Sequence, residues 1–177
     1  NSVQDNSPEL VNGKTINIKK NPDSISAIAS KIIEIPLPDG FERIKNDNFS
    51  FGYYLQHLTL NTTDNNIYSF DGTVLSIGGN HYAIIDMDIG TKNLQQCADA
   101  IMRLRGEYLY KRKRFNEIHF NFLADGKARY FSDYAKGDYS YKNFRKYMDY
   151  IFNSANTSSL KDEMQAIENI NDIKIGD

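Results

Sequence analysis

The chain has 177 residues, 40% hydrophobic and 12% aromatic, within the usual span of one domain and with material enough for one core. Its 21 basic and 23 acidic side chains leave a formal net charge of -2, so no global field draws it toward nucleic acid or an anionic membrane surface. A single cysteine excludes an internal disulfide and every multi-cysteine metal pattern, and no run approaches the roughly 20 apolar residues that span a bilayer.

Asn1 to Asp23 is polar, carries Asn-Ser-Pro, Asn-Gly and Asn-Pro turn signals and shows no period, so residues 1–24 read as a flexible leader ahead of one α+β domain over 25–177. That leader lacks the apolar centre of a signal peptide, and an exported form is therefore expected to have lost its signal already. Ile25, Ile28, Ala29, Ile32 and Ile33 recur at helical spacing up to Ile35-Pro36-Leu37-Pro38-Asp39-Gly40, a Pro-rich turn into an extended stretch at Phe41 to Ile44. Asp47 or Asn48 then caps a helix to about His57, with Phe51, Tyr54, Leu55 and Leu58 on one face, closed by the turn-rich run Asn61 to Asn66.

Thr73 to Ile77 and Tyr82 to Met87 read as strands joined by Gly78-Gly79-Asn80, the second apolar enough to lie inside a sheet. Asn93 with Gln96 forms a capping-box pattern ahead of a helix to about Lys111, striped by Leu94, Cys97, Ile101, Leu104 and Tyr108. Ile118, Phe120 and Phe122 alternate with polar residues, and Asp125-Gly126 turns the chain into Lys127 to Phe131, a hairpin. Ser140 caps a helix with Phe144, Tyr147, Met148, Ile151 and Phe152 inward and Lys142, Arg145 and Lys146 outward. Ser158 opens another, with Leu160, Met164 and Ile167 inside, and Asp172 to Asp177 resembles a strand start that stops at a turn.

Cys97 falls in the first turn of its predicted helix, where unpaired N–H groups and the positive dipole end favour a thiolate nucleophile. It also sits in the apolar stripe between Leu94 and Ile101, and spacing alone favours a small buried hydrophobe. A nucleophile needs a base, and the three histidines are His57, His81 and His119. His57 and His119 read as surface residues; His81, beginning the strand Tyr82 to Met87, is the local candidate base, although a histidine beside Gly-Gly-Asn is commonly a turn residue. Asp86 and Asp88 can flank a metal or orient a base, but a pair leading into Ile89-Gly90-Thr91 is more often turn chemistry. The run Lys111 to Arg114, with Arg103 and Arg105 upstream, is a candidate contact for anionic glycan or phosphate, although cations at a helix C-terminus complement its dipole and the net charge of -2 favours that reading. The tyrosines from Tyr130 to Tyr150 suit either sugar stacking or packing. No cofactor motif is present.

Ile35-Pro36-Leu37-Pro38-Asp39-Gly40-Phe41, Ile85-Asp86-Met87-Asp88-Ile89-Gly90, Leu94 through Tyr110, Ile118 to Phe122, Thr157 to Leu160 and Asp172 to Asp177 together resemble the Bacteroides-type domain-of-unknown-function family numbered 4846. That resemblance implies an exported, periplasmic or outer-membrane-associated protein, with a lipid anchor upstream of residue 1 as one option. Gln96-Cys97-Ala98-Asp99 at a helix start is similar in layout to CHAP-type amidases and NlpC-type cell-wall peptidases, where a cysteine attacks an amide carbonyl and a strand histidine activates it. The layout implies a papain-like helix on a mostly antiparallel sheet lacking its C-terminal strands, Cys97 as nucleophile, a base beyond Asp177 and a peptidoglycan peptide as substrate. The alternative is a non-catalytic envelope module that holds glycan or protein through tyrosines or the basic run, or serves as a scaffold.

Overall fold

Ser140 accepts the Asn143 N–H on its side-chain oxygen at 3.3 Å and so starts α4 (Tyr141–Phe152), whose Phe144, Tyr147, Met148, Ile151 and Phe152 are all buried, as their spacing predicts. The computed structural model to which this helix belongs describes residues 10–11, 14–15, 29–75 and 81–176. Phe144, Tyr147, Met148 and Ile151 pack with Met102 and Leu109 of α2 (Cys97–Lys111), with Ile118, and with Phe120 of β5 (His119–Asn121). β5 pairs antiparallel with β6 (Ala128–Tyr130) across the predicted Asp125-Gly126 turn, where Gly126 takes φ +63°. Phe131, expected to close that strand, instead opens the short helix α3 (Phe131–Ala135) and drives its ring into the core at 5.5 Å from Phe144. α5 (Thr157–Glu163), capped by Asn156, lies against β5 and α2.

The segment before α2 is built differently. Ser50 caps α1 (Phe51–Gln56) by accepting the Tyr53 N–H at 3.0 Å, three residues after the Asp47 turn that was expected to do so. Three extended pieces then run side by side through backbone bonds: Leu60 N–H to Ser30 O at 2.9 Å on one flank, and Asn61 N–H to Ile84 O and Asp86 N–H to Thr59 O at 2.8 Å on the other. Ile32–Glu34 form a single 3-10 turn, so the helix expected from Ile25 is not continued there; residues 25–28 lie outside the described residues. The expected hairpin at 73–87 is also replaced. β4 (Val74–Leu75) turns back on β3 (Ile67–Tyr68) through Asp71-Gly72, with Gly72 at φ +83°, while Gly78-Gly79-Asn80 lies outside the described residues. An Asp-Gly turn seven residues upstream competes for the same strand and takes Val74 and Leu75 into pairing with β3.

The chain is therefore α+β, with described sheets that are two-stranded and antiparallel: β3–β4, β5–β6, and β1 (Leu10–Val11) with β2 (Lys14–Thr15), the part of the 1–24 leader that is described. The described residues form no larger sheet behind α2. Met164 and Ile167, expected inside, are exposed because α5 ends at Glu163. Ile170–Asp172 make a 3-10 turn in place of the expected terminal strand. The chain then crosses α1 so closely that a Cβ at Gly52 would lie 2.7 Å from Ile175 O, which requires glycine there. Among the described residues no helix is long and apolar enough to cross a membrane.

Candidate functional site: a tyrosine-walled cavity over a buried ion pair

The first helical residue of α2 is Cys97, not Leu94, because Asp99 Oδ2 accepts the Gln96 N–H at 2.9 Å and so sets the start three residues later than the Asn93 pattern suggested. Its buried face is accordingly turned. Ala98, Met102 and Leu109 face the core, while Cys97 is exposed and Ile101 is 54% exposed. The expectation of a buried Cys97 is thus corrected. Among the described residues no hydrogen bond reaches its sulfur, and none joins it to a histidine. His81 donates from Nε2 to Asn65 O at 2.8 Å, leaving its buried Nδ1 without a partner. His119 donates to Glu117 O at 3.1 Å beside the Tyr130 ring, and His57 to Tyr53 O at 2.8 Å while stacked on Tyr53.

The turned face of α2 also buries charge. Arg103 and Glu107, one helical turn apart, pair at 2.8 Å with side chains only 2% and 5% exposed. The sequence marks Arg103 only as part of a basic cluster and does not single out Glu107, because opposite charges four residues apart ordinarily mark a solvated helix surface. Tyr141 at the start of α4 completes the group: its hydroxyl donates to Glu107 Oε1 at 2.7 Å and accepts from Arg103 Nη2 at 3.2 Å. Arg103 Nη1 donates to Asp88 O at 3.2 Å and to Gln95 Oε1 at 3.1 Å. Without such partners two charges at this depth would cost several kcal/mol each, on the order of the whole fold's margin.

Above the pair opens a cavity of about 700 Å³. Its walls are Tyr53, Tyr54 and His57 from α1, Tyr108, Lys111 and Arg112 from the end of α2, and Asp86 and Asp88 from the extended strip. Burial, and then the Glu107 charge, push the Tyr54 hydroxyl up to about 12, and burial, then its hydrogen bond to Glu107, raises Tyr141. Both are therefore neutral donors at physiological pH. Tyr54 Oη is buried with no partner. Glu107 Oε1 accepts both of that carboxylate's bonds, and among the described residues Oε2 accepts none. Arg103 uses Nε, both Nη1 hydrogens and one Nη2 hydrogen, leaving one N–H of its five. An unpaired acceptor, an unpaired donor and a free hydroxyl thus belong to three residues that line the cavity.

The basic run has a structural role as well. Arg112 lies 5.1 Å from the Tyr108 ring and donates to Asn48 O at 2.9 Å, and Lys111 lies 5.1 Å from the Tyr54 ring. Asp88 Oδ1 accepts the Gly90 N–H at 2.8 Å, the turn chemistry that its sequence suggested. Among the described residues no group of three metal-ligating side chains forms.

The family described as Domain of unknown function (4846) matches residues 32–139. The chain belongs to this family. No curated protein and no solved structure matches it. The matched segment carries every wall of the cavity except Tyr141, so in the 4846 domain of this chain the site is internal to the family segment and one α4 side chain finishes it.

Proposed function

We propose that this 4846-family chain is an exported envelope protein that binds a neutral glycan, without turning it over, in the tyrosine-walled cavity. The observation that carries this reading is the buried Arg103–Glu107 pair with its unspent N–H and Oε2 beneath aromatic walls. A pair that neutralises itself disfavours a charged ligand at the floor. One donor beside one acceptor matches two adjacent sugar hydroxyls, and tyrosine faces suit the apolar face of a pyranose. Titration of the full chain with soluble N-acetylglucosamine and glucose trimers, followed by NMR, tests it. Binding of a trimer that stays intact, lost in Tyr53→Ala and weakened about tenfold or more in Glu107→Gln, is expected; no binding of either sugar, or binding indifferent to both substitutions, overturns it.

A second reading rests on the exposed sulfur of Cys97 at the start of α2. It makes the protein a relative of cysteine amidases or peptidases of papain-like fold acting on cell-wall peptides, with Cys97 as nucleophile and His81 as one candidate base. Iodoacetamide modification at neutral pH decides it: labelling much faster than that of free cysteine supports a nucleophile, and a rate equal to free cysteine removes it.

A further inference from the structure

The outward charge of α4 holds an unexpected feature. Arg145 was expected in solvent with Lys142 and Lys146, yet its side chain is only 17% exposed and its Nη1 is buried with no partner. Among the described residues its guanidinium makes no hydrogen bond. The nearest carboxylate, Asp88, stands 3.9 Å from Nη2, is 80% exposed and already spends Oδ1 on the Gly90 N–H. Five donors on a mostly enclosed cation without one hydrogen bond is a costly arrangement unless something else supplies acceptors.

The surroundings say what that is. Arg145 lines a cleft of about 170 Å³ with Gly90, Thr91, Lys92, Lys146 and Asp149. Three cations face this space against two carboxylates, Asp149, whose Oδ2 is taken by Lys92 at 2.8 Å, and the exposed Asp88, 3.9 Å from Arg145 Nη2. Gly90 sits at φ +75°, and a Cβ there would lie 3.6 Å from Arg145 Nη2, which places the guanidinium beside this turn. The N–H groups of Thr91 and Lys92, next in the turn, donate to no described residue. A left-handed turn with free amides beside an arginine fork is a concave anion seat.

We propose that this cleft binds a phosphoryl group, free or as a monoester, with Arg145 as its bidentate anchor and Lys92, Lys146 and the 90–92 turn around it. Donors approach from the turn, from α4 and from Lys92, which calls for a tetrahedral oxyanion more than for a planar carboxylate with two oxygens. The site is separate from the glycan cavity and does not depend on that reading.

Inorganic phosphate and glycerol 1-phosphate, titrated into the full chain against potassium chloride at matched ionic strength, test the proposal by amide NMR. The expected result is saturable movement of the Gly90, Thr91 and Lys92 signals with both phosphates, and affinity about tenfold or more weaker in Arg145→Gln. Should Arg145→Gln not fold, Lys146→Gln reports instead, with a smaller loss in the same direction. Equal affinity for the two ligands means that the phosphoryl group alone is read, and tighter glycerol 1-phosphate means that an ester is preferred. Shifts reproduced by chloride, acetate binding as tightly as phosphate, or affinity unchanged in both variants would each overturn it.

Discussion

The two halves of this molecule are held by different forces. From Ala98 to Ala155 the helices α2, α3 and α4 and the β5–β6 hairpin share one apolar cluster, in which Met102, Phe131, Phe144, Tyr147 and Ile151 have no exposed surface. From Ala29 to Ile89 the chain leaves Phe41, Ile44, Phe49 and Tyr82 in solvent. It is fastened to α2 by the Phe51 and Tyr54 rings, 5.2 and 5.7 Å from that of Tyr108, and by directional contacts: Tyr108 Oη donates to Phe49 O at 2.6 Å, and the Arg112 guanidinium lies 5.0 Å from the Phe49 ring. Apolar burial fixes the body, while ring packing, hydrogen bonds and cation–π contacts together fix the flap. The tyrosine-walled cavity lies on the seam, with walls from both and its buried ion pair on the body.

The largest effect that tests this contrast is Phe144→Ala. Removing a fully buried ring should cost about 3–5 kcal/mol and lower the denaturant midpoint of the entire chain; a loss confined to one probe would mean that the body is not one cooperative unit. Glu107→Gln comes next. It keeps an acceptor for Arg103 but loses the charge, so about 1–3 kcal/mol is expected in denaturant unfolding, and a neutral outcome would show that the pair is solvated.

Tyr108→Phe sharpens the comparison most directly. It keeps the ring among its neighbours and deletes only the bond to Phe49 O, a loss of about 1 kcal/mol. The expected readout is faster amide exchange across residues 48–56 with residues 144–152 unchanged; equal acceleration in both would join the two regions into one unit.

The smallest effect is in pH. Burial raises the Glu163 carboxyl above its ordinary 4.5, although it accepts the Asn121 N–H. A raised carboxyl favours the neutral folded form, so its contribution is fully present below the ordinary value and fades as pH rises through the raised one. Glu163→Gln should flatten that part of the stability profile from about pH 4.5 upward. A profile unchanged by the substitution would mean that the α5–β5 contact is open to water.

Much of the body was legible in the residues themselves. Ser140 followed by apolar positions at helical spacing specified α4, and alternation around Asp125-Gly126 specified β5–β6, because both signals are local and nothing distant competes with them. The flap was not legible. Its strip joins Ser30, Leu60 and Ile84 across more than twenty intervening residues at each step, and no local period announces such a pairing. The site was hidden for a related reason. A period of 3.6 places Cys97 and Ile101 on the apolar stripe, and only the packing of α4 against α2 decides that the neighbouring face, with Arg103 and Glu107, is buried. Sequence by itself determined α1, α2, α4 and α5, the β5–β6 hairpin and the family of this protein. Tertiary structure alone decided which charges leave water, since the desolvation of Arg103, Glu107 and Arg145 depends on partners that lie up to 57 positions away, as between Asp88 and Arg145.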